Sequence, residues 1–167
     1  MNDIRYSSVE GRSERLVVVR LCPGVDLIEG LLEVCAAHRI QQGCVVTALG
    51  SLSKARLIYA VPDNSRKIGI KYCDPIEVEG PLEFLAASGM VGMDENQKRV
   101  THLHAVLSDA QERIYGGHLV DKGNIVLATI ELVIQEFDGI KLLKVEDRET
   151  GFNLFVPKSD CDSIGSN

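Results

Sequence analysis

The sequence predicts an α+β fold, a mainly antiparallel β-sheet with one main helix packed on it. Three observations lead there. The stretch from Leu27 joins a capping residue to apolar spacing of helical period. The other apolar runs are mostly short, rich in β-branched residues and separated by turn residues. One helix among many such strands is an α+β arrangement. The 167 residues, 45% apolar and 25% charged, make one domain large enough to bury its own core.

Residues 1–14 read as a polar N-terminal extension, 15–156 as the single domain, and 157–167 as a polar tail expected to lack order. Arg15 to Leu21 is the first strand, ended by Pro23-Gly24. Asp26 with Glu29 three residues on resembles a capping box. Leu27, Leu31, Leu32, Val34 and Cys35 then form the apolar face of a helix running to about Arg39 and closed by Gln42-Gly43. Cys44 to Leu49 is a short strand, broken by Gly50-Ser51-Leu52-Ser53. Ala55 to Val61 is another, followed by a turn at Pro62 to Ser65.

Ile68 to Tyr72 and Ile76 to Glu79 are short strand candidates around Asp74-Pro75. Pro81 to Met93 is ambiguous between helix and strand, with strand favoured near its end. Thr101 to Leu107 and Arg113 to Val120 flank a turn at Ser108 to Glu112. Ile125 to Phe137 is a long apolar strand, and Asp138-Gly139 turns into Ile140 to Val145.

The hairpin carries three of the four histidines: His102 and His104 on one strand, His118 behind Gly116-Gly117 on the other. Centred on Ala110, its paired residues sum to 220, so His102 faces His118 and His104 faces Gly116. Alternate residues share a strand face, and so do opposed residues, so the three imidazoles converge beside the space at Gly116. Three neutral imidazoles with an open fourth position suit zinc or a related divalent ion. A bulge at Gly116-Gly117 turns His118 away instead.

Glu131 interrupts the long apolar strand and needs a partner if buried. A two-residue loop at Lys122-Gly123 puts it on the histidine face opposite Ile114; a three-residue loop does not. Glu131 and Glu83 are the candidate proton carriers, and an intersubunit salt bridge is the alternative role for Glu131. The turn Gly50-Ser51-Leu52 is a candidate ligand loop, because it follows a strand and offers backbone donors.

Composition narrows the function classes. The net charge of −6 argues against gripping nucleic acid by bulk electrostatics. A local exception is Lys54, Arg56, Arg66, Lys67 and Lys71, a candidate basic patch or else a solvated edge. Five widely spaced cysteines (Cys22, Cys35, Cys44, Cys73 and Cys161) contain no Cys-x-x-Cys pair and read as reduced thiols. Nothing in the spacing supports Cys44 as a nucleophile with His38 as its base. Met1 to Glu14 carries no apolar signal core, and no run approaches the roughly 18–20 apolar residues of a membrane span. A cytoplasmic protein is expected.

Taken in order, PGVDLIEGLLEVC, TALGSLSKARLIY, EGPLEFLAASGMV, HLHAVLSD and YGGHL leading into ATIELVI resemble the PPC (plants and prokaryotes conserved) domain family over roughly residues 15–157. The resemblance implies an α+β homotrimer, and in prokaryotic members a metal site, zinc by preference, at the positions of His102, His104 and His118. It also implies a DNA-binding label. Plant members, however, read A/T-rich minor grooves through an attached Arg-Gly-Arg hook, and this chain has no Arg-Gly-Arg-Pro stretch. The nearest fragment is Glu10-Gly11-Arg12-Ser13. Three functions therefore stand: a DNA-associated regulatory homotrimer, a metal-dependent enzyme or small-molecule binder, and an assembly module with a structural metal.

Overall fold

The structure, a computed structural model, describes residues 5–160. Among these residues, one helix and ten strands run in order as β1 (Arg12–Leu21), α1 (Leu27–Ala37), β2 (Gly43–Ile58), β3 (Ala60–Pro62), β4 (Ile70–Tyr72), β5 (Ile76–Asp94), β6 (Arg99–Asp109), β7 (Ile114–Leu119), β8 (Ile125–Asp138), β9 (Ile140–Glu146) and β10 (Asn153–Ser159). Eight strands form one sheet in the order β1-β8-β2-β7-β6-β5-β9-β10, and β3 with β4 make a separate small hairpin. The α+β class and the antiparallel sheet expected from the sequence are present. One short parallel pairing joins β5 to β9.

Helix α1 begins where Asp26 caps it. One carboxylate oxygen of Asp26 accepts from the Ile28 and Glu29 amides, and the other accepts from the Gly123 and Asn124 amides. One side chain thus starts the helix and ties it to the loop before β8. Glu29 does not complete a capping box; it pairs with Lys122. The helix ends earlier than the sequence suggests, because Arg39 takes the left-handed conformation (φ 59°) and the Ile40 amide bonds back to the Cys35 carbonyl. Gly43 belongs to β2.

Strands β2 and β5 carry the largest corrections. The expected break at Gly50 to Ser53 is a bulged stretch inside one 16-residue strand. Gly50 is needed there for close approach, since a Cβ would strike the Thr129 carbonyl of β8. The ambiguous segment from Pro81 is the middle of the 19-residue β5. One edge of β2 pairs with β5 along its length. The other edge pairs first with β8 and then, at Leu57 and Ile58, with β7. Strands β2, β5, β6 and β7 so close a circuit.

Inside that circuit and beneath α1 lies the core. It includes Leu27, Ile28 and Leu31 of the helix, Leu52 and Leu57 of β2, Phe84 of β5, Leu103 and Leu107 of β6, and Ile130 and Ile134 of β8. On β6, Thr101, Leu103, Ala105 and Leu107 are buried, while the alternate residues His102, His104 and Val106 face outward. The core thus fixes the face on which the histidines stand. Strand β10 was not foreseen. It extends the sheet past β9 and takes Pro157, Lys158 and Ser159 out of the expected tail; residues 161–167, with Cys161, lie outside the described residues.

Candidate metal centre

Strands β6 and β7 are joined by a tight turn that Asp109 organises. Its carboxylate accepts from the Gln111 and Arg113 amides, the Arg113 guanidinium and the Tyr115 hydroxyl. Burial raises the pKa of this group, but those donors outweigh burial and hold it down to about 2. Glu112 takes a left-handed conformation (φ 64°) to complete the turn. The hairpin is consequently centred on Gln111, and paired residues sum to 222 rather than 220. His104 faces His118, and Val106 faces Gly116. A shift of two preserves the face, so the convergence survives although the partners change.

The three imidazoles meet on the outer surface. Ring centroids are 5.0 Å apart for His102 and His104, 4.9 Å for His102 and His118, and 5.4 Å for His104 and His118. One nitrogen from each lies within 4.8 Å of the others, and His102 Nε2 approaches His104 Nε2 to 3.0 Å. Two imidazole nitrogens bound to one tetrahedral zinc stand about 3.3 Å apart. Small side-chain movements would close the set.

Charge state fits as well. Burial, then the neighbouring His104 and Lys144, pushes the pKa of His102 below its ordinary value; burial, with His102, His104 and Lys144 adding to it, pushes His118 down to about 4. Both are neutral at pH 7, with lone pairs free for a cation. His118 Nδ1 is buried and has no hydrogen-bond partner among the described residues. A buried donor or acceptor without a partner is costly, and an ion coordinated at that nitrogen, or a water bonded to it, would relieve it. The donor set therefore fits a divalent ion of the zinc class.

Two residues not singled out as site members by the sequence border the cluster. The Tyr72 ring lies 6.0 Å from the His118 ring and meets Phe152 edge-on at 5.0 Å. Lys144 of β9 donates to the Thr101 carbonyl and lies over the Phe155 ring; burial lowers its pKa, with Asp121 acting the other way. A lysine on a strand reads as a solvated residue, and only the β5–β9 pairing brings it here. Beside His104 runs an open groove of about 450 Å³ lined by Val46, Ala86, Ser88, Val106 and Gly116.

The carboxylates expected as proton carriers are elsewhere. Glu131 is exposed on β8 opposite Leu49 of β2 and Arg20 of β1, because β8 does not pair with β7. Across β2 and β5, three strand spacings put it roughly 14 Å from β6. Glu83 pairs with Ser108, four residues and roughly 13 Å of strand from His104. The supposed ligand loop is strand: Leu52 is fully buried, and the Ser51 hydroxyl accepts from the Ala128 amide.

The basic patch is divided. Lys54 pairs with Glu77 and Glu79, Arg56 with Glu77, and Lys71 with Asp63 at 3.7 Å. Arg66 and Lys67 form no salt bridge with a carboxylate among the described residues. Cys44 is no activated nucleophile, since burial raises its thiol pKa, and burial pushes the Cys35 thiol up to about 11.

Fold and site together define a histidine-bearing α+β domain of known type. The chain belongs to the Plants and Prokaryotes Conserved (PCC, also written PPC) domain family, whose sequence profile matches residues 8–138. Among solved structures, a metal-containing protein from Archaeoglobus fulgidus is 26% identical with a TM-score of 0.77, the match covering 90% of this chain and 99% of that one. A plant- and prokaryote-conserved protein from Pyrococcus horikoshii shares the fold at 21% identity and a TM-score of 0.76, covering 90% and 97%. A bifunctional protein GlmU from Synechococcus is 32% identical over 140 residues, which are 84% of this chain. The match spans about a fifth of the length of that relative.

Proposed function

We propose that this protein is a homotrimeric PCC-family module that holds one divalent ion, zinc by preference, on His102, His104 and His118, and offers an open position there to a small-molecule ligand. The observation that carries the reading is the convergence of three nitrogens within 4.8 Å from two paired strands. The metal-containing relative from Archaeoglobus fulgidus supports it. A divalent ion supplies Lewis acidity to an oxygen ligand when bound. The chain's own part is geometric: β6 and β7 aim the imidazoles, burial keeps His102 and His118 unprotonated, and Lys144 and Tyr72 stand where a ligand would approach.

Trimerisation is supported by exposed apolar residues. Leu16, Val18, Val46, Leu49, Met90, Val106, Ile114 and Leu127 are each at least 41% exposed, apolar surface that contact between subunits would cover. Light scattering should give about 55 kDa for three 18.3 kDa chains.

Cobalt substitution tests the site. Wild type should take up about one cobalt ion per chain, with intense visible bands of low coordination number that shift when azide is added. His104→Ala should show neither. Bands unmoved by azide would mean a closed, structural site, and absence of bands in wild type would end the metal reading. DNA association is the weaker alternative, since Lys54, Arg56 and Lys71 already face carboxylates. It requires duplex affinity that falls steeply with salt.

A further inference from the structure

One cleft outside the histidine cluster has a chemistry of its own. It lies between the β3–β4 hairpin and the turn after β9, has a volume of about 540 Å³, and is lined by Arg66, Lys67, Lys71 and Arg148 with Tyr72 and Phe152. Four basic residues line it on a chain whose net charge is −6. Lys71 has Asp63 at 3.7 Å, whereas Arg66 and Arg148 form no salt bridge with a carboxylate among the described residues.

Both walls are held in place. Asp63 accepts from the Ser65 amide and hydroxyl, and the Gly69 amide bonds to the Arg66 carbonyl, which fixes the turn bearing Arg66. Asp147 accepts from the Glu149 and Thr150 amides and the Thr150 hydroxyl, which fixes the turn bearing Arg148. Lys67 Nζ donates to the Arg148 carbonyl at 3.0 Å and ties one wall to the other. Tyr72 and Phe152 meet edge-on and give the cleft an aromatic side.

Two guanidinium groups, Arg66 and Arg148, without a carboxylate in salt-bridge range among the described residues and carried on fixed turns around a concavity of small-molecule size, are what an oxyanion with several acceptor oxygens requires. We propose that this cleft binds the phosphate group of a small-molecule ligand. Tyr72 borders both the cleft and His118, so a ligand anchored here reaches the histidine cluster past that ring. This last step rests on the metal reading above; phosphate capture does not. A pocket of this size suits a compact phosphoester better than duplex DNA, which needs a broad basic surface.

The test is calorimetric titration of inorganic pyrophosphate into the metal-stripped full-length protein at low salt. Wild type should bind it, and Arg66→Gln with Arg148→Gln should weaken binding at least roughly tenfold by removing two charge-assisted contacts. The titration contains no metal, so failure of the metal site does not touch it, and Lys98→Gln, which removes an exposed positive charge away from the cleft, should leave the affinity unchanged. An unchanged melting temperature in the double variant shows that the loss is local. No binding up to about 10 mM, or equal affinity in the double variant, would overturn the proposal. So would a mixed-sequence duplex that binds more tightly than pyrophosphate and is lost in the same variant.

Discussion

Acidification of the metal-free protein should reveal how strongly the fold holds His118 neutral. Its pKa is about 4 in the folded chain against an ordinary 6.5, mainly because of burial. Between those values the unfolded chain takes up a proton that the folded chain refuses. Stability is therefore full above pH 6.5 and falls as pH drops towards 4. At 1.36 kcal/mol per unit, this one group costs about 2 kcal/mol by pH 5 and about 3 kcal/mol over the whole window. His102 shifts in the same direction and adds to the loss. Urea unfolding of chelated wild type and His118→Asn at pH 7 and pH 5, at fixed protein concentration, measures the difference. The variant should lose about 2 kcal/mol less than wild type over that interval. Equal losses would refute the claim that His118 is held neutral mainly by burial.

Further outcomes follow from the packing. Gly89→Ala should cost about 1–3 kcal/mol and weaken metal uptake, because its Cβ would strike the His102 carbonyl; Gly116→Ala, whose Cβ meets nothing nearer than 3.5 Å, should stay within about 0.5 kcal/mol of wild type in the same urea assay. Asp26→Ala leaves four backbone amides without their acceptor and should cost about 3 kcal/mol, read as a lowered melting temperature. Phe84→Ala removes a fully buried ring and should cost about 3–5 kcal/mol by the same measurement.

Much of the fold was legible because local physics carries it. Asp26 and the helical spacing of Leu27, Leu31 and Cys35 mark α1, and alternation along β6 separates buried Leu103 and Leu107 from outward His102 and His104. Strand order was not legible, since periodicity says which face is buried and nothing about which strand lies alongside. That is why the loop at Lys122-Gly123 left Glu131 either on or off the histidine face, whereas β8 in fact pairs with β1 and β2. The same ignorance hid Lys144, which reaches the site from β9.

Register failed by a smaller margin. The acceptor that sets the turn, Asp109, shows in the sequence only as a polar residue among several. Strand β10 was missed because the stretch from Pro157 onward reads by its polarity as a tail. A proline is tolerated at the sheet edge, where, among the described residues, β10 pairs only with β9. At Gly50 a residue that reads as a loop signal instead permits two backbones to touch. The histidine convergence survived these errors because strand faces have a period of two, and the register error was also two.

The central claim is that His102, His104 and His118 bind a metal ion, and metal content tests it most directly. Plasma mass spectrometry on protein purified without chelator should find about one zinc or related divalent ion per chain in wild type and none in His104→Ala. Metal-free wild type that cannot be reloaded with zinc, or a variant that keeps its ion, would contradict the account.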